Sequence, residues 1–269
     1  MTESRRTSER EARAAARRRW IAGGAALLLL GAPAAAAQAP AEPLFANERL
    51  TYQVSVSKFG RIGRGSMTAG GPVDVRGTCV YVLRFEFQTR VGPVKVVNRS
   101  ESWFDAARGA TLRFHKHEKS PLSTHDEQIE VYPAEWRWQG ADGSGGESPT
   151  ADPLDELSYI YVLRTLPLEV DSTYRLNRHF DAARNPTTLH VVRRDTISTP
   201  AGTFPTLLVE MRVRDARRYR GEGVLRFWLS DDSLRVPVRM ESKLPIVGSA
   251  VLTLETRTRI AGQIAVPAP

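Results

Sequence analysis

Residues 78–87 read Thr-Cys-Val-Tyr-Val-Leu-Arg-Phe-Glu-Phe. Tyr81, Leu83, Phe85 and Phe87 recur at every second position, with Arg84 and Glu86 between them. A period of two is that of a β-strand with one face on a core and the other in water. Such alternation suits an antiparallel sheet, because a parallel sheet is covered on both faces. Outward from this stretch, runs rich in Val, Tyr, Phe, Thr and Trp recur with turn residues between them. They predict strands over 48–58, 64–73, 78–91, 94–104, 110–118, 126–132, 135–139, 173–180, 187–198, 204–213, 222–230, 235–243 and 248–259. The fold class expected is mainly β: a curved antiparallel sheet or partial barrel with one helix packed on it. Cys79 is the chain's only cysteine, so no internal disulfide staples the fold, and its strand setting predicts a small buried side chain.

Two segments interrupt the strand pattern. Residues 140–151 (GADGSGGESPTA) read as a flexible loop. Residues 153–166 (PLDELSYIYVLRTL) predict the one helix, with Asp152 as N-cap, Pro153 in the first turn and Pro167 as the stop. Asp155 and Glu156 suit its positive end and Arg164 its negative end. Leu154, Leu157, Ile160, Tyr161, Val162 and Leu163 leave almost no polar face, which predicts a buried helix in the concavity of the sheet or across its open end. A short repeat, Phe104-Asp105-Ala106-Ala107-Arg108-Gly109 and Phe180-Asp181-Ala182-Ala183-Arg184-Asn185, joins strand patterns twice. Its last residue, Gly109 or Asn185, suits a left-handed backbone.

The N-terminus has three zones: seven arginines within residues 1–19, an uncharged run over 20–32, and small residues ending at Ala35-Ala36-Ala37. This order predicts a secretory signal peptide over 1–37, cleaved near Ala37, and a mature protein that is periplasmic or secreted. The apolar run falls short of the roughly 20 residues that span a bilayer, so no transmembrane segment is expected in the mature chain. Arg17-Arg18-Arg19-Trp20-Ile21 loosely fits a twin-arginine signal, which leaves both general export routes open. No Cys near the cleavage site offers a lipid anchor. Residues 38–43 read as a linker, 44–260 as a single β domain and 261–269 as a tail. Removing residues 1–37, with seven basic and three acidic side chains, lowers the net charge from +8 to +4. That mixed surface is not the footprint of a nucleic-acid partner.

Chemistry-bearing patterns are sparse. His115 and His117 share a strand face and His125 follows, yet Lys116, Glu118 and Lys119 surround them, so no metal is assigned. No G-x-S-x-G elbow occurs. Asp231 and Asp232 sit in a turn and read as caps of its backbone. Gly60 through Gly65 is Gly-rich but lacks the order of a phosphate loop, and reads as a hairpin turn. No cofactor and no catalytic residue is assigned. The sharpest candidate is an apolar pocket beside the helix, with Tyr159, Tyr161 and Arg164 holding the head of an amphipathic molecule and Trp228 in the wall.

Several pieces together resemble the domain-of-unknown-function 3108 family (DUF3108) of exported bacterial proteins, over Phe45 to about Leu254. These are Asn47-Glu48-Arg49-Leu50-Thr51-Tyr52, Gly60 through Gly65, Asp152-Pro153-Leu154-Asp155 running to Leu163-Arg164, Thr199 through Phe204, Phe227 through Asp232, and Pro237-Val238-Arg239. Asn47 departs from the Gly more usual there. The resemblance implies export and an antiparallel β domain and carries no activity. A weaker, fold-level similarity is to periplasmic lipoprotein-carrier proteins, in which a curved sheet with a helical lid holds acyl chains. It rests on Trp228-Leu229-Ser230-Asp231 with a following Pro, and on a helix set between strand blocks. The expected function is non-enzymatic binding or carriage of a lipid or lipoprotein of the cell envelope. The alternatives are an interaction or assembly module using exposed strand edges, and a hydrolase acting on envelope polymers.

Overall fold

The computed structural model describes residues 42–260, apart from 92–93, 121–122, 217–218, 220 and 245–247. Residues 1–37, read as a signal peptide, most of 38–43, read as a linker, and 261–269, read as a tail, lie outside the described residues. Fourteen strands form one antiparallel sheet. The first block is β1 (Glu48–Val56), β2 (Gly60–Val75), β3 (Thr78–Val91), β4 (Val94–Asp105), β5 (Ala110–Lys119), β6 (Thr124–Tyr132), β7 (Arg137–Gly140) and β8 (Gly145–Glu147). After the helix α1 (Ser158–Leu163) come β9 (Thr173–Leu176), β10 (Thr187–Thr199), β11 (Gly202–Arg214), β12 (Glu222–Ser230), β13 (Pro237–Leu244) and β14 (Gly248–Arg259). The spatial order β8-β7-β6-β5-β4-β3-β2-β1-β14-β13-β12-β11-β10-β9 makes two meanders joined where β1 pairs β14. The short strands β8 and β9 remain as the two edges, so the sheet does not close.

The curvature follows from the core. Laid flat, fourteen strands would span about 60 Å at ~4.8 Å per step. A six-residue helix is about 9 Å long. Yet side chains from β1 to β6 and from β10 to β14 meet α1 in one apolar cluster, including Leu50, Met67, Phe114, Val209 and Phe227 around Tyr161 and Leu163. The sheet therefore curls about the helix. Tyr81, Leu83 and Phe85 all point into this cluster, as the period of two requires, while Arg84 pairs with Glu101 at 2.7 Å on the outer face. A second cluster, Val75, Val80, Val82, Trp103 and Leu112, covers part of that outer face.

The helix is shorter than its sequence pattern predicts. Residues before Asp155 are drawn out of helical geometry because Leu154 bridges to His179: its N–H donates to the Arg178 carbonyl at 2.5 Å, and its carbonyl accepts from Phe180 N at 3.0 Å. Asp152 is therefore not the cap and instead pairs with Arg178 at 2.9 Å. Asp155 takes that role. Its Oδ1 accepts from the N–H groups of Leu157 at 2.7 Å and Ser158 at 2.9 Å, and its Oδ2 from the hydroxyls of Ser102 and Thr111.

Three further expectations change. Residues 145–147 form β8 within the stretch read as a loop. Cys79 is exposed, because it lies at the start of β3, beyond the part of the sheet that the core covers. Asn185 is extended, at φ −101°, whereas Gly109 is left-handed, at φ 74°. The second copy of the repeat forms a single-turn 3-10 helix over Ala182–Arg184. In both copies the Asp accepts from the backbone two residues on, and in both the Phe enters the core.

Candidate functional site

The hairpin joints after β1, β3, β5, β11 and β13 all fall at one end of the curled sheet, and α1 blocks the interior above it. Three cavities meet there. Just below α1 lies an apolar one of about 180 Å³, bounded by Met67, Phe85, Leu157, Ile160, Phe227 and Leu252. Beside it is a smaller one of about 60 Å³, lined by Tyr159, His179, Arg184, Thr187, Asp215 and Tyr219. The third, about 970 Å³, is the seam left by the open sheet, walled by Ile129, Trp138, Phe180, Arg184, Arg214 and Asp215.

A polar chain runs between them. Lys116 alternates with Phe114 on β5 and so faces inward, where it is buried. Its Nζ donates to Glu156, with Glu118 at 3.8 Å. Arg184 Nη2 donates to Glu156 Oε1 at 2.5 Å and to Asp215 Oδ2 at 3.1 Å. Glu156 borders both the 180 Å³ and the 60 Å³ cavity, and Arg184 borders the 60 Å³ cavity and the seam. His179 is buried, and its Nδ1 accepts from the N–H of Asp181 at 3.0 Å. Nε2 therefore carries the proton of the neutral ring. Burial, reinforced by the Arg184 cation, holds the His179 pKa well below the usual value. The Tyr159 hydroxyl faces Thr187 and the Arg178 backbone without forming a hydrogen bond of normal geometry, and burial pushes its pKa up to about 12.

The four side chains singled out in the sequence do not line one cavity. Tyr159 borders the 60 Å³ cavity. Tyr161 lies at the other end of the sheet, beside a cavity of about 690 Å³ with Phe45 and Phe104, its hydroxyl donating to the Thr68 carbonyl at 3.4 Å. Arg164 is committed elsewhere: Nη1 and Nη2 grip Glu48 at 2.7 and 3.2 Å, while Nε reaches the Leu234 carbonyl at 3.2 Å. Trp228 stands on the outer face, since its neighbours Phe227 and Leu229 point into the core. There its indole N–H donates to Asp195 at 3.3 Å and Arg239 lies 5.0 Å from its ring centre. The alternation along β12 that put Phe227 inside excluded Trp228 from the same wall.

His115 and His117 share the outer face, where His115 meets Trp103 edge-on and His117 pairs with Asp126. Across the ladder, His125 opposes inward-facing Glu118. No group of three His, Cys, Asp or Glu side chains among the described residues is placed to hold a metal ion. In the Asp231-Asp232 turn, Asp232 accepts from the N–H groups of Leu234 and Arg235, while Asp231 pairs with Arg194 and Arg235.

Sequence reasoning missed His179, Arg184 and Asp215 altogether, and read Lys116 and Glu156 as surface or helix-end charges. For Lys116 the signal was present: a period of two from Phe114 places it on the core face. Arg184 ends a single 3-10 turn and Asp215 follows β11, where no period applies.

Residues 51–255 match the family described as "Protein of unknown function (DUF3108)". No curated protein matches the chain significantly in sequence. Among solved structures, the chain is similar to a beta-barrel-like protein of domain of unknown function DUF1849 from Brucella abortus, with a TM-score of 0.54 and 12% identity over 80% of this chain and 98% of that one. A protein with a YmcC-like fold from Bacteroides fragilis aligns over 80% of this chain and 97% of its own, with a TM-score of 0.34 and 14% identity. At such identities the first likeness concerns the fold alone.

Proposed function

We propose that this chain, which belongs to the DUF3108 family of proteins of unknown function, is an exported, non-enzymatic protein of the cell envelope that holds the apolar part of an amphipathic molecule beneath α1. The observation that carries this reading is the 180 Å³ cavity between Leu157 and Ile160 on one side and the walls of β2, β3, β12 and β14 on the other. It is smaller than the roughly 300–1,000 Å³ of sites that engulf a drug-sized ligand. It suits a segment of an alkyl chain, with the remainder passing through the open end of the sheet. Each methylene buried there is favourable by about 0.8 kcal/mol. Export rests on the N-terminal pattern of residues 1–37. No helix among the described residues is long and apolar enough to cross a membrane.

Strand addition is less well supported, because the free edges are only Gly145–Glu147 and Thr173–Leu176. Hydrolysis is less well supported too. Each carboxylate in the seam is already engaged: Asp126 with His117, Glu127 with His125, Asp142 with Ser144, Asp181 with a backbone N–H, Asp215 with Arg184 and Glu222 with Arg212.

Native mass spectrometry of the mature protein, purified gently from the compartment it is exported to, tests the proposal. A stoichiometric lipid-like mass, recovered by organic extraction, is expected. A clean apo mass, with no uptake of lipid extracts added back, would overturn it.

A further inference from the structure

Tyr159, His179 and Arg184 share more than a cavity wall. Each ends in a buried polar atom with no partner: the Tyr159 hydroxyl, His179 Nε2, and both Nε and Nη1 of Arg184. All three residues line the 60 Å³ cavity. Every one of these four atoms carries a proton to donate. His179 does so because its Nδ1 already accepts from Asp181. The donors stand on a fixed frame, since Asn185 clamps the 179–185 loop: its Oδ1 accepts from His179 N at 2.9 Å, and its Nδ2 donates to the carbonyls of His179 and Asp181 at 3.0 Å each. An unmet buried donor is costly, and native proteins keep few of them.

Water is a poor match for such a set. Each water that accepts from these donors brings two protons of its own that need acceptors. A carboxylate only accepts, and its two oxygens offer about four lone-pair sites for the four donors. The cavity equals about two waters at their ~30 Å³ share of liquid volume, which is the room a carboxylate group needs.

We infer that Tyr159, His179 and Arg184 seat the carboxylate of a long-chain acid whose alkyl chain lies in the neighbouring apolar cavity. The two cavities share Glu156 and Leu225 as a common border, so one molecule spans both. This inference rests on the binding reading proposed above and names the class of its ligand.

The test is calorimetric titration of the full mature chain with sodium decanoate and with 1-decanol, which share a chain length and differ in the head. The native protein is expected to bind decanoate at least tenfold more tightly than decanol. Tyr159→Phe removes one unpartnered donor without touching the ion pairs of Arg184, and is expected to weaken decanoate roughly five- to tenfold and decanol distinctly less, because a charged acceptor makes the stronger hydrogen bond. Equal binding of the two, insensitive to Tyr159→Phe, would overturn the carboxylate seat and leave the apolar site standing. Binding of neither would overturn the seat and the binding reading together.

Discussion

At the scale of single residues, the largest electrostatic commitment is the buried cluster of Glu48, Arg164 and Arg257. Glu48 and Arg164 are almost wholly excluded from solvent, and Arg257 Nε adds a third bond at 2.9 Å. Removing one partner strands the other's charge, a loss of about 3–5 kcal/mol. Arg164→Met should therefore lower the urea midpoint sharply, and the Glu48→Met/Arg164→Met double variant should cost less than the two single changes together. His179 gives a pH signature. Its folded pKa lies well below the usual value because of burial and Arg184, with Lys116 adding to the effect and Glu156 and the Asp181 amide opposing it. Below about pH 6.5 the unfolded chain takes up this proton and the folded chain does not. Its contribution to stability is thus complete above pH 6.5 and declines on acidification, by at most about 1.4 kcal/mol per pH unit. Urea unfolding between pH 8 and 5 should show a shallower decline for His179→Gln than for the native chain.

At the scale of elements, α1 is held by its start. Asp155 accepts four hydrogen bonds, from two backbone N–H groups and two strand hydroxyls, and so ties the helix to β4 and β5. Burial raises its pKa even against those bonds. Asp155→Ala leaves buried donors unmet and should destabilise by about 3 kcal/mol. Asp152→Ala should cost at most about 1 kcal/mol, since its partly exposed pair with Arg178 is of the surface kind. Thermal melts of the two variants would reverse this order if the sequence-predicted cap at Asp152 were the working one. On β12, a Cβ added at Gly223 would sit 2.2 Å from the Tyr219 ring, which closes one side of the 60 Å³ cavity. Gly223→Ala should displace that ring and break its 3.1 Å hydrogen bond with Ser242, which a lowered thermal midpoint would report.

At the scale of the molecule, the open sheet divides into a continuous wall and a seam. The β1–β14 pairing lies at the centre of the strand order and β8 and β9 at its ends. Hydrogen exchange should be slowest in β1, β2 and β14 and fastest in β8 and β9, because a short edge strand is held by few hydrogen bonds along one side only and opens without disturbing the rest of the sheet. Terminal sequencing of the protein recovered from its native host should begin near Gln38, since residues 1–37 carry the pattern of a removable signal.

The strands were legible in the sequence because a half-buried strand writes its two faces into alternate residues. Residues 78–87 show it plainly, and β3 runs over Thr78–Val91 as its pattern predicts. One buried helix was legible from its apolar circumference, though not its true start, because the Leu154–His179 bridge joins residues far apart in the chain. The site was not legible. Tyr159, Lys116, His179, Arg184 and Asp215 come from a helix, a strand and two loops, and the residues that looked alike in sequence, such as Tyr161 and Arg164, were consumed by the core and by Glu48. Local pattern determines which way a side chain points from its own strand or helix. Only the curl of the sheet decides which of those side chains meet, because burial drives the two meanders around one helix and brings Tyr159, His179 and Arg184 to one small cavity.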